Sequence, residues 1–82
     1  MKKEILERAE EVIKFNESKK THQEKMVDQK KRIVERMQEK YSNGEISYEK
    51  LFNAQKDLAV YEDFLRQTNL VLSEINYIIN GE

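Results

Sequence analysis

Cysteine, proline and tryptophan are absent from this chain, and glycine occurs only at Gly44 and Gly81. Without cysteine there are no disulfides and no thiolate-bound metals. Without proline, every backbone N–H is available to a helix, and the two glycines are the only residues that enter left-handed turns at no steric cost. No apolar run approaches the ~20 residues of a membrane span. The opening MKKEILERAE is interrupted by Glu4, Glu7, Glu10 and Glu11, so it does not read as a secretory signal. A chain with no membrane segment and a cytoplasmic location is expected.

What is present is a helix-forming alphabet. Glu, Lys, Leu, Gln, Met and Arg dominate; charged and apolar residues each make up 38% of the 82 positions, too much regular apolar content for a disordered chain. One domain is the limit at this length, and its core is necessarily thin. The net charge of −1 divides unevenly. Residues 1–44 carry 12 Lys/Arg against 9 Asp/Glu, and residues 45–82 carry 3 against 7. The two halves are electrostatically complementary, which favours their lying side by side.

The stretch around Gly44 specifies a turn. Gly44 suits the left-handed residue that ends a helix, Ser47 suits an N-cap, and Glu49 places an anion in the first turn. Ile46 and Leu51 have the spacing of a hydrophobic staple. The predicted elements are a helix over 3–42, a turn over 43–47 and a helix over 48–79, forming a single helical-hairpin domain.

In the second helix Leu51, Leu58, Leu65, Leu72 and Ile79 recur every seven residues, with Ala54, Tyr61, Thr68 and Ile75 three residues after the first four. That is an a/d heptad seam. The first helix is less regular. Ile5, Leu6, Ala9, Val12 and Ile13 form one stripe, and Met26, Val27, Ile33, Val34, Met37 and Tyr41 another. Between them, polar Asn16, Lys19, Lys20 and Gln23 take the seam positions, as Lys30 does further on. Either one long helix has a polar middle, or it breaks near 16–21 and Thr21-His22-Gln23-Glu24 caps a new one. The unbroken register favours one helix, with Lys20 near Asn69 and the polar stretch against Gln67, Thr68 and Asn69.

A hairpin alone leaves apolar surface over. Ile5, Leu6 and Ile13 should gather at its open end with Phe64, Leu70, Val71, Tyr77 and Ile78. Exposing five or six such side chains forfeits on the order of 10 kcal/mol, comparable with the stability of a small domain. These eight residues are therefore the expected oligomer or partner interface. The expected fold class is all-α, a long antiparallel coiled-coil-like helical hairpin that dimerises into a four-helix bundle.

Other candidate sites are weaker. Lys25, Lys30, Arg32, Arg36 and Lys40 could track a phosphate backbone, but Glu24, Asp28, Glu35 and Glu39 are interleaved, and Asp28–Arg32 has helical ion-pair spacing. His22, the only histidine, has no ligand partner four residues away. Glu62-Asp63 lacks the Glu-x-x-His motif of carboxylate-bridged metal sites. No nucleophile elbow or phosphate loop occurs, so no catalytic residue, metal or cofactor is expected. Tyr41, Tyr48, Phe52 and Tyr61 are expected to close the turn around Ile46.

The segment from Tyr41 through Gly44 and Ser47 to Leu51, Ala54-Gln55 and Leu58 resembles the helix–turn–helix phrase of the TolC-type outer-membrane efflux family. The resemblance covers 18 of 82 residues, without barrel strands or a second repeat, and implies only the turn geometry. The functional expectation is a small protein-binding regulator, inhibitor or assembly factor, self-associating as a homodimer, from a bacterial or phage accessory gene. A nucleic-acid-binding hairpin and a structural coiled-coil component are the alternatives.

Overall fold

A computed structural model describes residues 3–81. Two helices account for nearly all of them: α1 is Lys3–Ser42 and α2 is Tyr48–Asn80. They lie antiparallel in a rod of 62 × 19 × 14 Å, which matches ~60 Å for a 40-residue helix at its usual rise. The chain is an all-α helical hairpin, and α2 runs one residue further than its periodicity predicts.

The turn forms as its residues dictate. Gly44 has φ +74°. Its N–H donates to the carbonyl of Tyr41 at 3.0 Å, and Glu45 N–H donates to the carbonyl of Lys40 at 2.8 Å. This pair of bonds is the Schellman ending, which satisfies carbonyls that a helix terminus otherwise leaves open. Ser47 then caps α2, its hydroxyl accepting from the N–H of Lys50 at 3.4 Å. At the far end Gly81, with φ +69°, donates to the carbonyl of Tyr77.

α1 does not break at its polar middle. Asn16 Nδ2 donates to the carbonyl of Val12 at 2.9 Å, and Thr21 Oγ1 to that of Glu17 at 3.1 Å. Both bonds reach back one helical turn, so Thr21 is an interior residue and the capping-box alternative does not occur. Glu4 near the start and Lys40 near the end complement the helix dipole.

All nine seam positions of α2, from Leu51 to Ile79, are buried or half-buried. In α1 the inward positions are Ala9, Ile13, Asn16, Lys20, Gln23, Val27, Lys30, Val34 and Met37. Lys19 is exposed, beside the seam rather than in it. Asn16, Gln23 and Thr68 are buried polar residues, and the first two share a groove with Gln67 and Thr68. Asn69 lies on the opposite side of the hairpin with Val27 and Lys31, because one further residue along α2 rotates the side chain by about 100°. The Asp28–Arg32 pair does not form: among the described residues the ion pairs are Lys30–Asp57 and Asp63–Arg66.

The core is thin. Val27, Leu51 and Leu72 are the buried apolar side chains, against 13 large hydrophobics that remain exposed. Tyr41, Tyr48 and Phe52 do cluster at the turn, with ring centroids 5.8 and 6.2 Å apart. Tyr61 does not join them. It lies further along α2, edge-on to Phe64 and beneath Lys30, more than two helical turns from Phe52.

Candidate interaction face

The two sides of the hairpin differ in chemistry. In an antiparallel helix pair, the flanking positions on one side of the seam in the first helix adjoin the matching flank of the second. On one side α1 presents Glu10, Glu17, Glu24, Lys31 and Gln38, and α2 presents Gln55, Glu62, Asn69 and Asn76; all are exposed. This is a solvated side by composition.

On the other side α1 presents Ile5, Val12, Lys19, Met26, Ile33 and Lys40, and α2 presents Lys50, Asp57, Phe64, Val71 and Ile78, so the half toward the open end is the apolar one. Two adjoining grooves run along it. At the open end Ile5, Ala9, Val12, Ile75, Ile78 and Ile79 enclose about 210 Å³ with apolar side chains only. Nearer the middle, a groove of about 350 Å³ is walled by Phe64 and Val71 and floored by Asn16, Gln23 and Thr68, with Lys19 and Gln67 at its edges. Phe64 and Val71 are 49% and 41% exposed, and Ile78 is 67% exposed. Large apolar side chains gathered on one face are uncommon on the surface of a small monomeric protein.

Four of the eight expected interface residues, Ile5, Phe64, Val71 and Ile78, lie on this face. Leu6 and Ile13 occupy the end of the seam, Ile13 half-buried and Leu6 37% exposed. Leu70 and Tyr77 lie off this face, because each precedes a facing residue by one position: Leu70 borders the groove on the opposite side with Val27 and Lys31 of α1, and Tyr77 lies on the outer side of α2 beside Ser73 and Glu74. Val12, Met26 and Ile33 belong to the face and were not expected in it. The signal for them was present, a seven-residue repeat from Ile5 through Val12 to Met26 and Ile33, but Lys19 interrupts it.

The groove floor contains an unmet polar group. Asn16 and Thr68 satisfy themselves through the carbonyls of Val12 and Phe64. Gln23 does not: its Oε1 is buried with no hydrogen-bond partner, and the residue is 9% exposed. A buried polar atom without a partner is costly unless another molecule completes it.

A second polar layer is complete within the chain. Lys30 Nζ lies 2.6 Å from Asp57 Oδ2 and 5.2 Å from the centre of the Tyr61 ring. The hydrogen bond to Asp57 holds the Lys30 ammonium above its ordinary pKa, against the opposing effect of desolvation. Lys30 is thus turned inward and engaged, and it does not belong to the basic stripe expected for phosphate contact. Lys25, Arg32, Arg36 and Lys40 are exposed on α1. Glu62 and Asp63 line one shallow groove with Ala59 and Arg66; Asp63 accepts from Arg66 and from Gln67 Nε2, and Glu62 also borders the groove that holds Lys31. Among the described residues no group of three metal-binding side chains occurs, and no helix is long and apolar enough to cross a membrane.

No family model matches this chain, and neither a curated protein nor a solved structure is found similar to it.

Proposed function

We propose that this protein is a binding module that works through helix–helix contacts, self-associating and engaging another protein as a regulator, inhibitor or assembly factor. The observation that carries the reading is the one-sided hairpin: a solvated flank on one side of the seam, and a flank of Ile5, Val12, Phe64, Val71 and Ile78 on the other. Burying each of these side chains is worth about 1.5–3 kcal/mol, a large gain beside the three buried apolar residues of the hairpin core. Leu70 and Tyr77, 56% and 67% exposed and off that flank, stay available to a further protein when it is covered.

Light scattering over a range of concentrations tests self-association. A mass above that of one chain supports it, and a monomer at every concentration removes it. Affinity capture from a cell extract tests the second contact: a protein retained by the wild type and lost with Leu70→Asp supports it, and capture unaffected by Leu70→Asp and Tyr77→Asp counts against it.

Nucleic-acid binding through Lys25, Arg32, Arg36 and Lys40 is the second reading, supported by their exposure on one helix. It is weaker because acidic residues are interleaved and Lys30 is engaged with Asp57.

A further inference from the structure

We infer that the occupant of the apolar face is a second copy of this chain, packed so that α1 of each copy lies against α2 of the other and both turns are at the same end of the bundle. The inference rests on the self-association proposed above and goes beyond it by assigning the face and the orientation.

Area argues for an occupant of this size. The chain exposes 6622 Å², whereas a compact monomer of its mass exposes about 5,200 Å². The excess of about 1,400 Å² per chain, doubled for two copies, falls within the range of obligate homodimer interfaces. Burying this one flank against itself removes surface of the required kind, and it covers the groove lined by Asn16, Gln23, Phe64, Thr68 and Val71.

Charge selects the orientation. A two-fold axis across the rods sets α1 against α1, with the turns at opposite ends. An axis along the rods sets α1 against α2, with the turns together. On and beside the apolar flank, the charged side chains of α1 are Arg8, Lys19, Arg36 and Lys40, all basic. Those of α2 are Lys50, Asp57 and Glu74. The first arrangement puts the basic edge against its own copy, and like charges brought together at an interface are unfavourable. The second puts it against the α2 edge, where two carboxylates, Asp57 (held by Lys30 of its own chain) and Glu74, outnumber the single Lys50. It also keeps every layer at its own height: the dry open-end groove meets its copy, and the polar floor of Asn16, Gln23 and Thr68 meets a polar floor.

The absence of cysteine makes the test direct. Asn43→Cys introduces a single thiol at the exposed turn, and a spin label there reports the distance between the two copies. Turns at the same end give about 20–30 Å, from helix spacings near 10 Å plus the label arms. Turns at opposite ends give a distance near the 62 Å length of the rod, which overturns the orientation while leaving self-association standing. A monomer overturns both. The face is tested separately: Val71→Asp should return the solution mass to that of one chain with helical content retained, and Asn69→Asp on the opposite side should leave the dimer intact. The reverse pattern overturns the assignment of the face.

Discussion

Lys30 Nζ and Asp57 Oδ2 are 2.6 Å apart across the two helices, joining a seam position of α1 to the flank of α2. The lysine stem runs through the seam over the Tyr61 ring, and the ammonium reaches the carboxylate at the edge. Long side chains solve the problem of a charge at a helix interface in this way, burying the methylenes and keeping the head polar.

The pair has a definite pH signature. The folded pKa of Lys30 is raised from the ordinary 10.5 by the Asp57 hydrogen bond. A raised cationic pKa contributes stability that is complete below the unfolded value and disappears as pH rises through the folded one. The coupling between Lys30→Met and Asp57→Asn in a double-mutant cycle should therefore be constant between about pH 6 and 9 and decline only at more alkaline pH. A coupling that declines across the neutral range would contradict this assignment.

Gln23→Leu should raise the thermal midpoint. It replaces a buried amide with an unmet oxygen by an apolar side chain of similar size, and such an exchange removes a penalty of about 1–3 kcal/mol. A polar seam residue also restricts register, so the variant should show broader spin-label distance distributions alongside its higher stability. A fall in the midpoint would show that Gln23 is already satisfied.

Leu51→Ala tests the core. Leu51 is 2% exposed, and truncation at such a site costs about 2–5 kcal/mol, comparable with the full stability of so small a protein. Chemical denaturation monitored by circular dichroism should show a largely unfolded variant. Phe52→Ala, next in sequence but 49% exposed, should cost much less.

Gly44→Ala tests the turn. A β-carbon there meets nothing within 4 Å, so the cost is the left-handed backbone alone, about 1 kcal/mol. Gly44→Asn should cost less, because asparagine tolerates that conformation better. Ser47→Ala should cost roughly 0.5 kcal/mol, the low end for a lost N-cap, because its hydrogen bond is long at 3.4 Å. Equal losses for Gly44→Ala and Gly44→Asn would place the cost in packing rather than backbone.

The two helices, the turn and the inward positions of α2 were all legible in the residues themselves. Each depends on neighbours within a turn or two: the Leu51-to-Ile79 repeat sets a face, Gly44 permits the left-handed ending of α1, and Ser47 caps α2. The continuity of α1 was legible in part, because the heptad register persists through Asn16 and Gln23 although their chemistry does not.

Only the packed pair decided the rest. Periodicity tells which residues face a partner helix, but the rotation and stagger of that partner determine what each flank meets. Those settings placed Lys30 against Asp57 and joined Ile5, Val12, Phe64, Val71 and Ile78 into one face. The amide of Gln23 shows the difference most plainly. Its position in the seam is a property of the sequence, whereas its want of a partner arises only when the two helices close over it, because burial and hydrogen bonding are properties of the assembled helices.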